Sequence, residues 1–115
     1  MVSPSVGSVV LVRFPFSDLS SSKLRPALVV ASAGQDDWIL CQVTSNPYAD
    51  PIAIQITDSD FETGSLQRVS YARPGKLFTA NSSLMETEVG MLNAMVFKNV
   101  VNAVIGILQR DAKTK

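Results

Sequence analysis

In the stretch SKLRPALVVA, Ser22 to Ala31, a permanent cation, Arg25, stands directly against the apolar run of a strand built for burial. A guanidinium is planar, charged at every accessible pH, and able to hold two oxygens of one anionic group at once. A partner for it lies further along. The runs PALVVAS (26 to 32) and WILCQVT (38 to 44) are separated by the short turn GQDD, so they pair as an antiparallel hairpin. The start of the first strand then lies beside the end of the second, which brings Arg25 next to the hydroxyl of Thr44. Charge from one and a hydrogen bond from the other make a two-residue oxyanion site, in which Ser45 can share the hydroxyl's part. A plainer reading stands beside this one. Pro26 biases Arg25 toward extended backbone, so Arg25 also suits a solvated strand start. Thr44 suits a strand end ahead of the Asn46-Pro47 turn.

Other chemistry is bounded by composition. The chain has no His, so imidazole serves neither as base nor as metal ligand. Its single Cys, Cys41, sits inside WILCQV and reads as a buried small hydrophobe rather than a nucleophile. At 115 residues, 46% hydrophobic and 17% charged, the chain is expected to form one folded domain, 1–115. Ten basic residues balance ten acidic ones, so no bulk attraction to nucleic acid or membrane follows. The placement is more informative. Arg13, Lys23, Arg25, Arg68, Arg73 and Lys76 fall in or between the expected strands, while Asp36, Asp37, Asp50, Asp58, Asp60 and Glu62 gather at other turns. One face is therefore expected to be locally basic. No apolar run approaches the roughly 18 residues of a membrane-spanning helix. The opening MVSPSVGS lacks a signal-peptide pattern, so the cytoplasm is the expected compartment.

The elements that must position these groups are mostly strands. Apolar runs at 8–14, 26–32, 38–44 and 52–56, then QRVSYA and a short piece at 84–89, are divided by clusters of turn residues. Ile52, Ile54 and Ile56 alternate and are expected on one face. FSDLSSSK (16 to 23) reads as an exposed loop and Pro74-Gly75 as a turn. From Asn93, a good N-cap, the period changes: Val96, Phe97, Val100, Val101, Val104, Ile105 and Leu108 form a helical stripe of about four turns. The expected architecture is a small, strongly twisted antiparallel sheet or partly open barrel capped by a C-terminal helix. Trp38 is expected in the core or at a dimer interface, and Phe14 in the core.

Three stretches together resemble one family. GSVVLVRFPF (Gly7 to Phe16), RPALVV (Arg25 to Val30) after a Ser-rich loop, and VTSN (Val43 to Asn46) follow the order and spacing of the PemK/MazF toxins of bacterial toxin–antitoxin pairs. SYARPGKLFT (Ser70 to Thr79) and the terminal helix also fall where such toxins have a strand and their last helix. The resemblance implies a mainly β, SH3-like small barrel with a C-terminal α-helix, assembled as a homodimer. It implies an endoribonuclease that cuts single-stranded messenger RNA without metal or other cofactor, neutralised by a cognate antitoxin. In this family the Arg of the RP pair and the Thr or Ser ending the third strand are assigned to catalysis, and here they match Arg25 and Thr44. Lys23, Arg73 and Lys76 are then candidates for contacts to RNA, with Phe16 and Tyr48 as stacking platforms. The chain departs from the pattern in its first loop. SDLSSS replaces an acidic GSEQ-like stretch, so Asp18 is its only carboxylate, and Asp18 and Ser45 are the supporting catalytic candidates. Ser8 also replaces an acidic residue. CcdB-type toxins share the fold, and the alternative is a non-catalytic inhibitor of a protein such as DNA gyrase, acting through GILQRDAKTK.

Overall fold

A computed structural model describes residues 3–15 and 22–115. Its strands are β1 (Ser8–Pro15), β2 (Ser22–Gly34), β3 (Asp37–Thr44), β4 (Ile54–Ile56), β5 (Phe61–Gly64), β6 (Ser70–Asn81) and β7 (Met85–Leu92), followed by helix α1 (Ala94–Ala112). The strands form one sheet in the order β4-β6-β3-β2-β1-β7-β5, and every neighbouring pair is antiparallel. The curled sheet and single C-terminal helix are the mainly β architecture expected from the sequence. Among the described residues no helix is long and apolar enough to cross a membrane.

The near-continuous apolar runs of β1 and β2 have a physical cause: both faces of the sheet are buried there. Val9, Leu28, Cys41, Val43 and Ala72 point to one face, where Val100 of α1 covers them. Val10, Val12, Ala27, Val29 and Leu40 point to the other, where the curl of the sheet gathers them with Ala80 of β6 and Met85 of β7. Successive residues of one strand thus serve different clusters. Trp38 and Phe78 pack at the edge of the second cluster, and the Trp38 indole N–H is buried without a hydrogen-bond partner among the described residues. Asn93 caps α1 as expected, its side chain accepting from the Val96 N–H at 2.9 Å.

Several expectations need correction. β5 was not foreseen, because FETG carries only one large apolar residue. Ile52 lies outside β4 and is exposed, so the isoleucine alternation begins only at Ile54. Ile105 and Leu108 are 43% and 64% exposed, because α1 overhangs the sheet at its C-terminal end and only Val100 and Val104 are buried. Pro74-Gly75 is no turn between elements. β6 runs through it, with Cys41 opposite Leu77 and Gln42 opposite Arg73, so Pro74, Gly75 and Lys76 are extra residues in a bulge. Proline has no N–H to give to the ladder, and a bulge is where a strand tolerates it.

Candidate active site

Arg25 sits two residues before Ala27 on β2, and Thr44 two residues after Gln42 on β3. Ala27 and Gln42 are direct partners in the ladder, so the expected hairpin forms, but β2 starts at Ser22 rather than at Pro26: Ser22 to Arg25 pair with β1, so Arg25 lies inside β2, beside Thr44 at the end of β3. Both line one cleft of about 230 Å³, whose wall also carries Ser45, Gln42, Arg68 and Ser70. Leu11, Pro26 and Leu66 supply apolar surface there. Arg25 is half-buried and lies across from Val12 of β1. Its charge is therefore offered from the sheet rather than from a free loop.

The Thr44 hydroxyl has a defined polarity. Its oxygen accepts from the Asn46 N–H at 3.1 Å, which leaves the O–H to donate into the cleft. The loop beyond is tied by similar local bonds: Asn46 Oδ1 accepts from the Tyr48 N–H at 3.0 Å and Asp50 Oδ1 from the Ile52 N–H at 3.1 Å. Tyr48 is 60% exposed, with a left-handed backbone at φ 54°.

Arg73 does not line this cleft. Its Nε donates to Asp50 Oδ2 at 3.0 Å, its Nη1 donates to Gln42 Oε1 at 3.3 Å, and its guanidinium lies 5.4 Å from the Tyr48 ring centroid. The pair joins the loop after β3 to the sheet. Lys76 lines a neighbouring cavity of about 200 Å³ with Gln42, Leu77 and Phe78. Lys23 is exposed on β2 and does not line the Arg25 cleft. Phe16 and Asp18 lie outside the described residues, as does the side chain of Phe14. Arg25, Thr44 and Ser45 are thus brought together, while Arg73 and Lys76 stand beside them beyond Gln42.

Three cleft residues carried no role in the sequence reading. Arg68 counted only as one of the strand-borne cations. Gln42 is two residues before Thr44 on the same strand face, a spacing legible from the period of two. Ser70, buried at the start of β6, donates to the Arg68 carbonyl at 3.3 Å. Among the described residues no carboxylate lines the cleft, and no group of three His, Cys, Asp or Glu side chains is placed to hold a metal ion.

Among the described residues, two titratable groups have shifted pKa values. The hydrogen bond from Arg73 holds the Asp50 carboxyl below the usual carboxylate range, helped by the Ile52 N–H. A depressed native pKa gives stability that is full above the unfolded value, about 3.9, and lost as pH falls through the native one. Asp50→Asn is therefore expected to flatten the loss of thermal stability below about pH 4, as a series of melting curves would read. Burial pushes the Cys41 thiol up to about 12. Only thiolate reacts, so iodoacetamide at pH 8 is expected to leave Cys41 unmodified in the native protein and to alkylate it in urea, as read by mass.

Residues 5–108 match the family described as PemK-like, MazF-like toxin of type II toxin–antitoxin system. No curated protein matches the sequence directly. Among solved structures, MazF from the MazE–MazF complex of Deinococcus radiodurans superposes with a TM-score of 0.73 at 19% identity, over 92% of this chain and 96% of that one. An endoribonuclease in complex with its cognate antitoxin, from a mycobacterial species, gives 0.68 at 18% identity over 95% and 96%. The Mycobacterium tuberculosis toxin MazF-mt6 gives 0.68 at 13% identity over 89% and 96%. At these identities the likeness establishes a common fold.

Proposed function

The chain belongs to the PemK-like, MazF-like toxins of type II toxin–antitoxin systems, and on that premise we propose that it is an endoribonuclease cutting single-stranded messenger RNA at a short sequence, without a metal ion or other cofactor. One observation carries this reading: Arg25, Arg68 and the Thr44 hydroxyl line a single cleft with the shape and charge to hold a phosphodiester. The ribose 2′-OH attacks the adjacent phosphorus and gives up its proton, the bond to the 5′-oxygen breaks as that oxygen takes a proton from solvent, and the products are a 2′,3′-cyclic phosphate and a 5′-hydroxyl. Arg25 neutralises the charge that gathers on the nonbridging oxygens of the pentacoordinate transition state. Thr44 donates to one of those oxygens, with Ser45 beside it, and Arg68 adds charge from the same cleft. In a groove partly lined by Leu11, Pro26 and Leu66, one such donor is worth about 3 kcal/mol. Asp18, the only carboxylate of the SDLSSS stretch, is the candidate acceptor for the 2′-OH proton.

Tyr48, exposed on the loop after β3, offers a stacking surface, and Lys23 and Lys76 provide charge for flanking phosphates. The same reading places the protein in the cytoplasm, as a homodimer held inactive by a cognate antitoxin. The structurally similar proteins solved with an antitoxin support that partner. Purified protein mixed with long unstructured RNA in excess EDTA is expected to yield discrete fragments. Intact RNA across several unrelated sequences, from protein with a normal melting transition, would overturn the proposal.

A further inference from the structure

Beyond the cleft that holds Arg25 and Thr44 lies the cavity of about 200 Å³ bounded by Gln42, Lys76, Leu77 and Phe78. Its volume equals that of several waters at about 30 Å³ each, which suits a flat heterocycle better than a single ion. Gln42 is the wall the two cavities share. Anything that continues from a phosphate at Arg25 toward this side must pass its amide.

The orientation of that amide is chemically fixed. Arg73 has only donors, so the Gln42 atom facing its Nη1 at 3.3 Å is the oxygen. Arg73 is itself held by Asp50 at 3.0 Å. The Gln42 oxygen is thereby turned toward Arg73, and its NH₂, on the other side of the amide, donates to no group among the described residues. Around it, Leu77 and Phe78 give an apolar floor for a ring and Lys76 a cation for a phosphate.

We propose that this cavity is a base-reading subsite next to the scissile phosphate, in which Gln42 selects a keto base, uracil or guanine, over cytosine or adenine; this rests on the endoribonuclease reading above. The O4 of uracil and O6 of guanine accept a hydrogen bond. The amino groups of cytosine and adenine at the matching positions are donors and meet the Gln42 NH₂ donor to donor. Asp50 and Arg73 are positioning residues, since they act by holding the amide.

The test is equilibrium binding of uncleavable 2′-O-methyl oligonucleotides that vary one base at a time, with cleavage of the all-ribose strands read in parallel. The native protein is expected to prefer uracil and guanine about tenfold at one position, the worth of one hydrogen bond. Gln42→Glu keeps an oxygen for Arg73 and turns the donor into an acceptor, so it is expected to reverse the preference at that position alone. Gln42→Met is expected to abolish it there. A native preference unchanged in Gln42→Glu, or no keto preference at any position, would overturn the assignment. So would an equal loss of binding to every sequence in both variants at an unchanged melting temperature. Binding of the uncleavable strand scores the subsite whether or not the all-ribose strand is cut, so the two readings fail separately.

Discussion

Replacing Arg25 by alanine is expected to slow RNA cleavage by about 10²- to 10³-fold, the cost of removing one preorganised donor from a transition state, while the melting temperature stays nearly unchanged. The change should fall on kcat, because the guanidinium meets its full complement of charge only as the phosphorus becomes pentacoordinate. Arg25→Lys keeps the charge but loses the planar two-point contact, so it should recover only part of the rate. The fold gives a reason to expect little loss of stability. Arg25 is half-buried in the first part of β2, opposite Val12, and the residues that anchor the strand are Ala27, Leu28 and Val29, all fully buried. A fall in melting temperature that accounts for the lost activity would return Arg25 to the plainer role of a strand-start charge. Single-turnover cleavage and a thermal melt on the same preparation separate the two.

The largest effect on stability is expected at Leu28. It is fully buried, directly opposite Val9 on β1 and Cys41 on β3, and shares its cluster with Val100 of the helix. Leu28→Ala deletes methyl groups where sheet and helix meet and leaves a cavity that neighbouring strands cannot close without breaking their ladders. A cost of about 2–5 kcal/mol follows, which urea denaturation would measure as a lower midpoint at unchanged slope. Activity lost by this variant should return at temperatures where it is still folded. The contrast with Arg25 is informative: one residue is expected to carry rate without stability, the other stability without a place in the cleft.

Much of this geometry is legible in the residues. The hairpin that unites Arg25 with Thr44 follows from two apolar runs and the turn residues between them, although the turn itself is only Gln35-Asp36, between the paired Gly34 and Asp37, and the helix follows from the apolar period after Asn93. Less visible was anything decided by tertiary context. The Pro74-Gly75 pair looks like a break, yet β6 continues through it, because the partner strand β3 is anchored on both sides of the bulge by Cys41 and Gln42. Arg73 looks like a free cation in sequence. Its carboxylate partner Asp50 is 23 residues away, and no local signal reports such a pairing. Arg68 could have been found from the cluster of cations at 68, 73 and 76, but only the fold shows that it alone of the three shares the cleft with Arg25. The exposed Ile105 and Leu108 show the limit of periodicity: it marks the face of a helix, not how far the sheet beneath it extends.

On the proposed reading, the ion pair of Asp50 with Arg73 links specificity to rate in one scaffold. The loop that follows Thr44 is held to the sheet through the same guanidinium that orients Gln42. Loosening the pair is therefore expected to disturb base selection before it disturbs the chemistry at Arg25.

The central claim is that this cleft uses the RNA's own 2′-OH as the nucleophile. Its most direct measurement is single-turnover cleavage, in excess EDTA, of one oligoribonucleotide and of the same strand carrying a single 2′-deoxy nucleotide on the 5′ side of the cut. The all-ribose strand should be cut once, leaving a 2′,3′-cyclic phosphate, and the substituted strand should stay intact. Cleavage of both strands at similar rates, or of neither, would contradict the account.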